Sequence, residues 1–189
     1  MCGSVVRLAA VALCFAIFTS HLSGKPKADE ELPSPRGNSV ELDPDFIVVG
    51  VGGFDVNDNE TAGQFEVQVR FQKRIWLFKP QIGAFVTTKS GFYAYAGGAM
   101  DLFFGRRYVV SPGFSIGTYG KGDGKKLGGA LEFRSSLEIA YRLRNRGRVG
   151  VQIGHLSNAS LYEANPGTEF AILNYSMPTD VFSRYLALA

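Results

Sequence analysis

The chain has 189 residues, enough for one domain, with 46% apolar residues and a formal net charge of +3. A charge that small argues against a nucleic-acid partner. Both cysteines, Cys2 and Cys14, fall in the first two dozen residues, so a chain trimmed there carries no thiol, no disulfide and no cysteine metal site.

That opening segment reads as an export signal. Arg7 supplies the positive start, and Leu8–Ser20 is an apolar run too short for a stable membrane-spanning helix. Residues 1–24 are therefore expected to be a cleaved signal peptide. Arg7 is the one charged residue among them, so its removal lowers the net charge to +2. Residues 25–44 are rich in proline and charge and poor in large apolar groups, which predicts a flexible leader.

From Phe46 onward the apolar residues alternate with polar ones, and no helical period appears. In Leu127–Arg144 the odd positions include Leu131, Phe133, Ser135, Leu137, Ile139 and Tyr141, whereas the even ones include Glu132, Arg134, Glu138 and Arg142. Side chains alternate across a strand, so one face is apolar and the other charged. Residues 64–72 repeat the pattern, and eight segments are predicted: 46–56, 63–73, 76–88, 91–104, 107–119, 127–144, 147–159 and 168–177. Short connections at Lys73–Ile75, Gly105–Arg106 and Asn145–Gly147 alternate with longer ones at Asn57–Ala62, Gly120–Lys126 and Ser160–Gly167.

An even strand number with short turns at one end and longer loops at the other describes an all-β, eight-stranded antiparallel transmembrane barrel of the outer-membrane type, with no substantial helical domain. The barrel is expected over residues 45–177, followed by a C-terminal tail, 178–189. Trp76, Phe78, Phe92, Tyr93, Tyr95, Phe103, Phe104 and Tyr108, near strand ends, suit aromatic girdles. A soluble ligand-binding barrel would also alternate, with its apolar face inward. The long aromatic-bearing face of 127–144, and the mixture of acids and arginines on its other face, favour the membrane, with Glu66, Arg70, Glu132, Arg134, Glu138 and Arg142 forming a paired network in a narrow lumen.

Gly154–Phe170 (G-H-L-S-N-A-S-L-Y-E-A-N-P-G-T-E-F) holds the one histidine outside the signal segment. His155 and Ser157 share parity with Val149, Val151 and Ile153, and Glu169 shares parity with Ala171, Leu173 and Tyr175. All three therefore face lipid, near the outer leaflet if the amino terminus is periplasmic. Ionisable groups on such a wall are costly unless they serve a function or lie near the interface. A serine needs a neighbouring base to take its proton, and a carboxylate can hold that base in the productive tautomer. Asn158 and the backbone N–H groups of Ala159 or Ser160 are the oxyanion candidates, although the parity of Asn158 directs its side chain inward. The blander alternative is a surface histidine beside an N-P-G turn. One histidine and no cysteine fall short of a zinc site, and no cofactor is expected.

The runs H-L-S-N-A and A-N-P-G-T-E resemble the signature of the lipid A 3-O-deacylase (PagL-type) outer-membrane barrels. The likeness is strong over 154–170; elsewhere it is one of strand number and alternation. The resemblance implies His155 as general base, Ser157 as nucleophile and Glu169 as orienting acid, hydrolysing the ester at position 3 of lipid A. It also implies lipopolysaccharide as substrate and the outer membrane as location, with homodimerisation left open. Where a glycine often follows the Asn-Ala pair, this chain has Ser160. The competing reading is a small non-enzymatic barrel with a structural or minor transport role.

Overall fold

The computed structural model describes residues 44–58 and 60–180. The expected signal peptide, nearly all of the leader and residues 181–189 of the tail lie outside the described residues. The strands are β1 (Phe46–Phe54), β2 (Ala62–Arg70), β3 (Lys79–Thr87), β4 (Phe92–Ala99), β5 (Leu102–Phe104), β6 (Tyr108–Gly120), β7 (Leu131–Arg142), β8 (Arg148–Ser157) and β9 (Thr168–Pro178). Every pairing is antiparallel. Sequential neighbours pair except β4 and β5, β1 also pairs with β9, and β4 pairs with β6, which closes the sheet. β4 and β5 are one barrel strand: both pair with β6, and the register runs unbroken from Ala99↔Gly113 to Leu102↔Val110. The interruption falls opposite Pro112, which has no N–H to give to the ladder. The molecule is thus the predicted eight-stranded barrel.

Alternation decides the two faces. Ile139, Val151 and Ile153 are more than half exposed on the outer wall, whereas Arg70, Glu138, Arg142 and Arg148 are fully buried in the lumen. Near one end, Arg70 pairs with Glu138 at 2.7 Å, and Asp101 accepts from Lys79 at 2.8 Å, Arg148 at 2.9 Å and Ser111 at 2.7 Å. Above them, Arg134 forks onto Glu66 at 2.9 and 3.0 Å, between the rings of Tyr95 and Phe170. Higher still, Phe54, Phe85, Tyr93, Tyr119, Leu127 and Leu156 fill the lumen. Eight strands leave room for such a packed interior and little else.

Several expectations need correcting. β7 starts at Leu131, not at residue 127. Gly128 takes φ +97 and breaks the extended run, so Leu127 turns inward and is buried. β3 starts at Lys79, because Ile75 and Phe78 exchange backbone hydrogen bonds (2.8 and 3.1 Å) around a tight turn with Trp76 at φ +57. Trp76, Phe78, Phe92, Phe104 and Tyr108 are exposed as girdle residues should be. Tyr93 and Tyr95 are instead buried in the lumen, and Phe103 lies beneath the Arg142 guanidinium. Position near a strand end does not make a girdle residue; parity does. In the lumen, Glu132 is buried in the upper tier and joins none of the ion pairs, while Asp101, Lys79 and Arg148 form a cluster that the alternation of 127–144 does not reveal.

Candidate active site

The loops 55–61, 88–91, 121–130 and 158–167 share one end of the barrel, and the polar outer-wall residues lie just below them. β8 and β9 are in register there, so His155 stands directly across from Glu169. Their side chains meet, with Nδ1 and Oε1 3.1 Å apart, and each is a little under half exposed. If the carboxylate accepts from Nδ1–H, the Nε2 lone pair is left free; the tautomer is assigned from this bond. That edge of the ring faces Gly167, on the loop side. A Cβ at 167 would lie 2.6 Å from Cε1 and 3.1 Å from Nε2, and the residue takes φ +63. Only glycine meets both conditions without strain.

Ser157 follows His155 on the same face of β8, two residues nearer the loops. The two line a groove of about 280 Å³ with Phe114, Phe133, Ser135 and Ala159. A larger groove of about 670 Å³ opens on the Glu169 side, lined by His155, Ser135, Leu137, Ile153 and Ala171 among others. Both run across the apolar outer wall. Among the described residues none hydrogen-bonds the Ser157 hydroxyl, His155 included, so the structure joins His155 to Glu169 and not to Ser157.

The turn after Ser157 is built from unusual conformations. Ala159 and Ser160 both take positive φ (52 and 62), and Leu161 N–H closes the turn on the Asn158 carbonyl at 3.0 Å. Asn158 is fully buried, and its amide donates to Leu127 O at 2.7 Å and Ala164 O at 2.9 Å. Its own backbone N–H donates to the Asn165 side chain at 3.0 Å. Asn158 therefore fastens the loop. Two successive left-handed residues closed by the Leu161–Asn158 hydrogen bond form a type I′ turn.

The start of β9 is held from behind. Thr168 Oγ1 donates to the buried Asp55 carboxylate at 2.8 Å, and Val56 N–H donates to the Glu169 carbonyl at 3.2 Å. Lys125 bridges Asp55 at 2.6 Å and Asp58 at 3.0 Å. Burial lowers the Lys125 pKa, but the hydrogen bonds it donates to the two aspartates, with their negative charge, outweigh it and leave it raised.

A family model described as lipid A 3-O-deacylase (PagL) matches residues 57–178, from the first loop to the end of β9. The chain belongs to the PagL family. A curated relative, the lipid A deacylase PagL of Bordetella bronchiseptica, is 27% identical over 74 residues. That match covers 38% of this chain and 42% of the relative, so less than half of either is spanned. Among solved structures, the crystal structure of the outer membrane enzyme PagL superposes with a TM-score of 0.58 at 20% identity, over 70% of this chain and 99% of that one. The likeness supports the closed barrel.

In this PagL-family barrel His155, Ser157 and Glu169 are on the outer face; His155 lines both grooves, Ser157 only the smaller and Glu169 only the larger, and the side chain of Asn158 is buried away from them. Sequence reasoning missed Ser135, which pairs with His155 across the β7–β8 ladder, and the Asp55–Thr168 tie. The first had a signal, the one small hydroxyl in a column of large, mostly apolar side chains. The second had none, since the partners are 113 residues apart.

Proposed function

We propose that the protein is an outer-membrane esterase that removes the 3-O-linked acyl chain from lipid A at the outer leaflet. The observation that carries the reading is the His155–Glu169 contact of 3.1 Å on a wall that otherwise faces hydrocarbon, with Ser157 lining a groove beside His155. A glycolipid lying in the leaflet meets such a site from the side, with acyl chains along the wall and the sugar toward the loops.

The chemistry follows from the groups present. His155 Nε2 takes the Ser157 hydroxyl proton as Oγ adds to the ester carbonyl carbon. Negative charge moves to the carbonyl oxygen, toward the Ala159 and Ser160 N–H groups. Glu169 stabilises the imidazolium through Nδ1. The carbon–oxygen bond to the sugar then breaks, and the sugar oxygen takes the proton from Nε2. A water next adds to the acyl carbon, giving its proton to Nε2, and Ser157 departs with that proton. The products are a lipid A with a free 3-hydroxyl and a free fatty acid.

The test is to express the full chain in an outer membrane and weigh the lipid A by mass spectrometry. Loss of one 3-O-linked hydroxyacyl group supports the reading. An unchanged lipid A mass from cells holding folded barrel sinks it and leaves the non-enzymatic barrel.

A further inference from the structure

The two ends of the barrel differ in charge. The loops beside the candidate site, 55–61, 88–91, 121–130 and 158–167, carry four lysines against five acids. The short turns at the other end, 71–78, 105–107 and 143–147, carry six cations and no acid: Lys73, Arg74, Arg106, Arg107, Arg144 and Arg146. These turns fill three of the four gaps between neighbouring strands around that rim. In the fourth, where β1 and β9 meet, stand Asp45 and Asp180, and Asp180 pairs with Arg146. Lys73, Arg106 and Arg144 are exposed, and Arg74 keeps a buried Nε with no acceptor among the described residues. A buried donor of that kind is costly unless an oxygen reaches it.

The outer wall at this end stops on exposed apolar residues. Ile75, Trp76 and Leu77 form the tip of the β2–β3 turn, and Trp76 is the most exposed large apolar side chain described. Phe71, Phe104 and Tyr141 end the wall as girdle residues, and Lys73, Arg106 and Arg144 follow them by two or three positions. Two residues of a strand tilted by about 40° rise about 5 Å along the membrane normal, close to the depth of one headgroup zone. The cations therefore stand at the level of lipid phosphates, with their stems along the girdle. We infer that this rim is a docking surface for anionic glycerophospholipids of the leaflet it faces, anchored by the β2–β3 turn. Phosphate oxygens accept from Arg74 and its neighbours, and Trp76 lies among the lipid esters. An acidic protein would approach from one side, whereas these cations encircle the rim and continue the wall that meets hydrocarbon. The inference does not depend on the esterase reading.

Trp76 is the one tryptophan of the chain, so its fluorescence reports on this end alone. The full chain is folded into phosphatidylcholine vesicles holding a minor fraction of phosphatidylglycerol. Bromine quenchers are carried on the acyl chains of the phosphatidylglycerol, or of an equal fraction of the phosphatidylcholine. Both leaflets share one composition, so the direction of insertion does not matter. The phosphatidylglycerol label should quench as though enriched about fivefold around Trp76, the scale of one cation at an anionic surface. That excess should shrink in high salt, which screens exposed charges. Lys73→Gln combined with Arg74→Gln, in a barrel shown to be folded by its gel-mobility shift on heating, should bring the two labels level. Equal quenching in the wild type overturns the proposal, as does an excess that survives high salt or the paired substitution. A Trp76 that neither label reaches overturns it too, and points to a partner in the aqueous phase. The salt arm needs no variant, so the test stands even where the paired substitution prevents folding.

Discussion

Gly167 is the residue on which the geometry of the imidazole depends most. A methyl group there would sit within van der Waals contact of Cε1 and in the left-handed region. Gly167→Ala should leave a folded barrel, judged by the gel-mobility shift on heating, yet displace the ring from its place beside Glu169 and cut turnover by about 100-fold, since small misplacements carry such penalties. Ser160 poses the opposite case. It holds φ +62 with a side chain, so Ser160→Gly should stabilise the turn by about 1 kcal/mol in denaturant titration. His155→Ala should abolish turnover, and Glu169→Ala should reduce it less, because the ring keeps its basic nitrogen without the carboxylate.

Between elements, the strap formed by Asp55, Thr168 and Lys125 fixes where β9 begins and hence where Glu169 stands. Asp55→Ala strips the buried Thr168 hydroxyl of its acceptor and Lys125 of one partner. It should cost about 1–3 kcal/mol of stability, with a fall in kcat measured on the same preparation. This strap also marks the limit of what the sequence discloses. Period-2 alternation sets the faces of β7, β8 and β9, and with them the common face of His155, Ser157 and Glu169, because a strand offers its side chains only two directions. It cannot state which strand pairs with which residue, so the contact of His155 with Glu169 and the neighbourhood of Ser135 emerge only with the register. Tyr93 and Tyr95 have the position of girdle residues, yet the register of β4 turns both into the lumen. Leu127 broke its parity because Gly128 ended the strand, a φ effect that alternation does not encode.

At the scale of the whole barrel, the lumen is sealed by charge pairs and rings. Removing the acid of the Arg134–Glu66 fork strands a buried guanidinium, so Glu66→Ala should cost about 3–5 kcal/mol in unfolding experiments. The wild-type barrel should pass no sizeable ionic current in a planar bilayer. On the other face, Ile139→Arg puts a cation on the apolar outer wall and should cost about 2–4 kcal/mol if the position is near the bilayer midplane. Both substitutions act through the scaffold and leave the groove residues in place.

The measurement that bears most directly on the esterase reading is the lipid A mass spectrum of cells making either the wild-type chain or Ser157→Ala, at matched levels of folded barrel. Wild type should yield lipid A short of one 3-O-linked acyl chain, and Ser157→Ala should yield the intact molecule. Deacylation at the wild-type rate by Ser157→Ala would contradict the assignment of the nucleophile and of the groove around it.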